Sequence, residues 1–165
     1  MFPYAEPMTE VASNPDSALD QPGANSSPAL VVERFMDLLR LGELDAAVGL
    51  LAVDVRYENV GLPTVHGRER VRRLFRRAYD SGGGFDVVIH TISANGPSVL
   101  TERTDVLTFR RLRVQLWVCG RFDVHNGQIV LWRDYFDFAN FNMGLLRGLI
   151  GVRFPRLRAS PPSRG

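Results

Sequence analysis

Val99-Leu100-Thr101-Glu102-Arg103-Thr104-Asp105-Val106-Leu107-Thr108-Phe109 alternates in the manner of a β-strand, and the face it hides is unusual. Alternate residues of a strand share a face, so Val99, Thr101, Arg103, Asp105, Leu107 and Phe109 look the same way. That face is apolar at both ends and charged in the middle. Glu102, Thr104 and Thr108 make the opposite face the wetter one, so Arg103 and Asp105 are expected to point inward. Burying an ion pair costs several kcal/mol per ion even after relaxation. Such a pair needs partners or a purpose.

Working outward, the same period of two continues on both sides. Strands are expected at Phe85–Ser93, Ser98–Phe109, Arg113–Val124 and Gln128–Phe138. Asn95-Gly96 and Asn126-Gly127 separate the outer pairs, and Asn-Gly between alternating segments is a strong hairpin signal. The connection around Arg110-Arg111-Leu112 is short enough only for an antiparallel return. Upstream, Asp54–Gly61 alternates as a further strand, with Val55, Tyr57 and Asn59 on one face and Arg56, Glu58 and Val60 on the other.

The remaining segments carry a helical period. Ser27-Pro28 is an N-cap followed by proline at the first helical position. The stripe Leu30, Val31, Phe35, Leu38, Leu39 then runs to a stop at Gly42, and Glu43–Leu51 reads as a second short helix. Gly67–Tyr79 reads as a third, with Val71, Leu74, Phe75 and Ala78 inward and six arginines outward. A last helix is expected over Asn140–Val152, placed to lid the sheet. Helices followed by a strand meander make an α+β domain. It is expected to span residues 27–152, after a disordered leader (1–26) and before a flexible Arg- and Pro-rich tail (153–165).

The totals narrow the function. A chain of 165 residues, 45% of them hydrophobic, is one domain with a real core. Its 20 basic residues, all arginine, and 18 acidic ones leave a net charge of +2. That is no field demanding a nucleic acid. The arginine-rich helix reads as a solvated face with Glu69 and Asp80 nearby, not as a nucleic-acid or membrane surface. A single cysteine, Cys119, fits a reducing compartment, and a cytoplasmic location is expected. There is no apolar run of about 20 residues to span a membrane. His66, His90 and His125 are too scattered to suggest a metal site.

Arg103 and Asp105 have candidate partners on two other strands. Trp132 and Asp134 share a face with Val130 and Phe136, and Tyr57 and Asn59 share one with Val55. Polar pairs at i, i+2 lie about 6.5–7 Å apart along a strand. A curved sheet can bring all three pairs to one apolar cavity. Two carboxylates in different surroundings supply an acid and a base at neutral pH. An arginine between them hydrogen-bonds both in its rigid fork. Tyrosine and asparagine can hold a water with a lone pair aimed at substrate. No metal, cofactor, thiol or serine nucleophile is required. The set suits activation of water against an electrophile whose leaving group needs a proton, and an epoxide fits.

Tyr57-x-Asn59, Arg103-x-Asp105 and Trp132-Arg133-Asp134-Tyr135-Phe136-Asp137 resemble the limonene-1,2-epoxide hydrolase family in its mycobacterial form. That family lies within the wider nuclear transport factor 2-like (SnoaL-like) fold. The resemblance runs from Pro28 to Ile150, with the arginine-rich third helix and tail as departures. It implies a cone of about six strands in a curved, mixed, largely antiparallel sheet, wrapped by the N-terminal helices around a deep apolar pocket. It also implies a homodimer. Carried over, Asp134 is the general base toward water held by Tyr57 and Asn59, Asp105 is the general acid, and Arg103 holds both. Hydrolysis is then one step, without a covalent intermediate. Trp132, Leu107, Leu116, Val118, Phe136 and Phe141 are candidates for the apolar wall that binds a terpene-, sterol- or lipid-like epoxide.

Each residue also has an ordinary reading. Arg103 with Asp105 could be a structural ion pair, Asp134 a hairpin-end acid, and Trp132 core. A core rarely needs five convergent polar groups, which favours the site. The competing functions are an isomerase or cyclase of the same fold and a non-catalytic small-molecule-binding domain. Tyr57 and Asn59 argue against the isomerase, since moving a proton needs no nucleophilic water.

Overall fold

The computed structural model describes residues 27–136. Its elements are α1 (Pro28–Leu41), α2 (Leu44–Gly49), β1 (Leu51–Asn59), β2 (Val65–His66), α3 (Arg68–Asp80), β3 (Gly83–Asn95), β4 (Ser98–Phe109), β5 (Leu112–His125) and β6 (Gln128–Phe136). The expected helix over Asn140–Val152, Phe141, the leader and the tail lie outside the described residues.

The strands form one open six-stranded sheet in the order β2-β1-β6-β5-β4-β3. The meander β3 to β6 is antiparallel throughout, while β1 runs parallel to β6, so the sheet is mixed. The sixth strand is the two-residue β2, too short to show a period. It pairs Val65 and His66 with Tyr57 and Arg56. Register shifts in β1, β3 and β6 mark irregularities of the kind that bend a strand and increase its twist.

Between β5 and β6, Asn126 (φ 51°) and Gly127 (φ 73°) both take the left-handed conformation that a type I′ hairpin requires. Between β3 and β4, Asn95 instead pairs with Ser98, so the two central residues are Gly96 and Pro97, not Asn95-Gly96.

One face of the sheet is covered by α1, whose Val31, Val32, Phe35, Met36 and Leu39 are buried. They meet Val55, Val71, Val87, Val99, Phe122, Ile129 and Trp132 in one core cluster. The buried stripe is therefore shifted from the expected one: Leu30 is exposed, and Val32 and Met36 take the inner positions. On α3 only Val71 is fully buried, with Phe75 and Tyr79 partly so. Leu74 and Ala78 face solvent, against expectation. Nor is α3 a purely solvated face. Arg72 and Arg76 both donate to Asp45 on α2, and Arg68 donates to the Leu51 carbonyl at 3.2 Å. Among the described residues, no helix is long and apolar enough to cross a membrane.

Candidate active site

β4 delivers Val99, Thr101, Arg103 and Asp105 to the covered face, all buried, with Arg103 at 0% exposure. The opposite face is drier than expected only in its middle, at Thr104 and Val106. Thr104 is buried and accepts or donates a 2.8 Å hydrogen bond with His90 Nε2, whose ring stacks on Trp117. Val106 is buried as well. On the inner face, β6 contributes buried Trp132 and Asp134, and β1 contributes half-buried Tyr57 and Asn59. Register brings these together: Tyr57 pairs with Trp132, and Asn59 with Asp134.

The guanidinium of Arg103 joins the two acids. Nε donates to Asp105 Oδ1 at 2.9 Å and Nη2 to Asp105 Oδ2 at 3.2 Å. Nη2 also donates to Asp134 Oδ1 at 2.7 Å, across 31 residues of sequence. Nη1 turns away and donates to Thr101 Oγ1 at 3.1 Å. Thr101 was legible only as another residue on the same face; its hydroxyl completes the arginine's partners.

Burial is the largest influence on both acids. It raises Asp105 to about 6 against the pull of Arg103, with Asp134 adding to the rise. Burial raises Asp134 too, opposed by Arg103 and by the nearby Trp132 indole, whose N–H completes no hydrogen bond by distance and angle. For Arg103, burial works against the charge, but the two carboxylates outweigh it and hold the guanidinium above its usual value. Burial and then the Asp134 charge push the Tyr57 phenol up, with Asn59 beside it working the other way. Tyr57 therefore stays a neutral phenol, able both to donate and to accept.

The apolar surroundings divide in two. Trp132 sits among Phe35 (centroids 5.0 Å apart), Tyr57 (4.2 Å) and Phe75 (5.6 Å). Beyond the acids, Val114, Leu116 and Val118 form a second cluster with Leu112 and Phe136. Leu116 pairs with Asp105, and Val118 lies between Arg103 and Phe136. Leu107 shares this face but is 42% exposed. The arrangement offers one acid–base pair beside an apolar wall, with a phenol and a carboxamide next to Asp134.

A mixed NTF2-like sheet carrying this buried Asp–Arg–Asp bridge defines a class, and the comparisons agree. Residues 26–147 match the limonene-1,2-epoxide hydrolase catalytic domain, and the chain belongs to that family as an epoxide hydrolase of its type. Among relatives, it is 47% identical over 129 residues to epoxide hydrolase EphG of Mycobacterium tuberculosis, covering 78% of this chain and 86% of that one. A solved M. tuberculosis LEH-like epoxide hydrolase is 46% identical, with a TM-score of 0.78 over 81% of this chain and 95% of that one. An NTF2-like protein from Cytophaga hutchinsonii, 18% identical, shares the fold alone, with a TM-score of 0.58 over 69% of this chain and 93% of that one.

Proposed function

We propose that this protein adds water to an apolar epoxide in a single step to give a vicinal diol. The observation that carries the assignment is positional. Asp134 pairs directly with Asn59 and lies two residues from the Tyr57–Trp132 pair, whereas Asp105 stands two strands away beside Leu116. The base belongs where water can be held, and the acid belongs beside the apolar wall. Water held by Tyr57 and Asn59 attacks an epoxide carbon and gives a proton to Asp134. The carbon–oxygen bond of the ring breaks, and its oxygen takes the proton of Asp105. The cycle leaves Asp134 protonated and Asp105 ionised, so one proton must return from Asp134 to Asp105.

Arg103 contacts both carboxylates and stabilises the charge on whichever is ionised. Leu116, Val118 and Phe136 support an apolar substrate, with Leu107, Trp132 and Phe141 as further proposed contacts. A homodimer is part of the reading, supported by exposed Leu100, Trp117 and Tyr135 on the outer face of the sheet. Sedimentation equilibrium checks it.

Asp105→Asn is expected to abolish diol formation from terpene, sterol and fatty epoxides while the fold is kept. Turnover of that variant at the wild-type rate sinks the proposed acid. A single turnover in H₂¹⁸O should place label from water in the diol. Oxygen transferred from a pre-labelled enzyme carboxylate would instead mean a covalent intermediate.

A further inference from the structure

Arg103 has to span two strands. It leaves β4, while Asp134 stands on β6 with β5 between them, and neighbouring strands lie about 4.8 Å apart. The guanidinium therefore passes over β5. The residue beneath its path is Gly120, which pairs with Thr101 on β4 and with Asp134 on β6. On the same face of β5, Val118 and Phe122 stand to either side, both buried.

A Cβ at position 120 would lie 2.1 Å from Arg103 Nη1 and 2.7 Å from Thr101 Oγ1. The tip of a free arginine could swing aside, but this one is held by both acids and by Thr101. The backbone at Gly120 does not itself require glycine, since its φ lies outside the left-handed range. Glycine inside a strand weakens it and marks a place where another group approaches closely. Here that group is the guanidinium.

Thr101 fixes the other end. Its Oγ1 accepts from Nη1 at 3.1 Å, and its own hydroxyl faces the Gly120 carbonyl at 3.5 Å. Phe122 lies against the guanidinium, with the ring centroid 5.8 Å from Cζ.

We propose that Gly120 and Thr101 are positioning residues for the reaction: Gly120 opens a saddle over β5 for the Arg103 side chain. Thr101 sets the rotation of the guanidinium so that Nη2 lies between the two carboxylates. Thr101 is suited to this because it is a neutral acceptor. A third carboxylate there would compete for the charge that the two acids share. The inference rests on the proposed role of Arg103 in aligning Asp105 and Asp134.

Gly120→Ala is the sharpest test, because the backbone tolerates alanine and the guanidinium does not. Displacement by about 1 Å at a reacting centre can cost about 10²-fold in rate. The expected result is a fall in kcat of that order with KM changed less than twofold. The acid limb of the pH–rate profile should also move to higher pH, as Asp134 loses its cation. Thr101→Val should lower kcat and move the same limb, while Thr101→Ser, which keeps the oxygen, restores both toward wild type. If Gly120→Ala does not fold, the Val and Ser pair decides alone.

Carboxyl ¹³C titration of Asp105 and Asp134, without substrate, separates the two readings. Altered titration in Gly120→Ala and Thr101→Val supports the saddle even if wild type opens no epoxide, which would count only against the proposed function. Wild-type titration and wild-type kcat in the variants overturn the saddle.

Discussion

Asp105→Asn should do more than stop the reaction: it should change how stability depends on pH. In the folded protein the Asp105 carboxyl is raised from 3.8 to about 6, chiefly by burial. Between those values the native state holds a proton that the unfolded chain has released. Wild-type stability therefore falls as pH rises from about 4 to about 7, and the full penalty is present above the folded value. At 1.36 kcal/mol per pH unit, the penalty is about 3 kcal/mol. Asparagine cannot ionise and escapes it. Asparagine also turns an N–H₂ group toward Arg103, which now donates to both Asp105 oxygens at 2.9 and 3.2 Å. That conflict costs about 1–3 kcal/mol at any pH. The absolute change in stability is thus small, but the difference between two pH values cancels the clash.

Urea unfolding of wild type and Asp105→Asn at about pH 4 and about pH 8 measures that difference directly. The variant should gain about 3 kcal/mol on wild type between the two conditions. Removing one of two like charges also relieves Asp134, which moves the result in the same direction. A stability difference that is the same at both pH values would refute the reasoning. It would mean that Asp105 is ionised in the native state throughout, with no proton to give.

Three other outcomes follow from the same geometry. The kcat/KM profile should fall above about pH 6 as Asp105 loses its proton, toward a tenfold loss per pH unit; a flat profile from pH 5 to 9 speaks against a carboxylic acid as proton donor. Tyr57→Phe and Asn59→Ala each remove one proposed water contact. Stopped-assay kcat should drop about 10- to 100-fold in each, the equivalent of one hydrogen bond to a developing charge. Phe35 is buried against Trp132 and Phe122 at 5.0 and 6.5 Å, so Phe35→Ala should destabilise the fold by about 3–5 kcal/mol in urea unfolding.

What was legible in the sequence follows the period of each element. β4 and the β5–β6 turn stand out because alternation and turn chemistry act over neighbouring residues. β2 has only two residues, too few for any period. The inner stripe of α1 is displaced because the buried face runs through Val31, Val32, Phe35, Met36 and Leu39, which leaves Leu30 on the other side of the helix. Within the site, face parity identified Arg103, Asp105, Asp134, Tyr57 and Asn59, and register brings them together. Gly120 passed unnoticed, although an unforced glycine between Val118 and Phe122 on an alternating face was its signal. Parity says which side chains share a face; it does not say that one of them must cross two strands.

The charge count supports reading these residues as the proposed site and not merely as a tolerated ion pair. With every group ionised, Asp105, Arg103 and Asp134 carry a net charge of −1 behind surfaces that are 7%, 0% and 4% exposed. An uncompensated charge at such depth is strongly disfavoured, and a single bound proton removes it. The neutral state has one carboxylate, one carboxylic acid and one guanidinium. That is also the state the proposed reaction needs at its start: a base, an acid and a cation to hold them. Because the acids are coupled through Nη2, the proton belongs to the pair and titrates as such. In the proposed cycle the proton moves from Asp105 to Asp134 while the total charge is unchanged, so burial opposes neither end of it. A simple salt bridge of one acid and one base would be neutral when fully ionised and would have no proton to give. In the proposed reaction it is the second carboxylate that supplies the transferable proton beside the buried arginine.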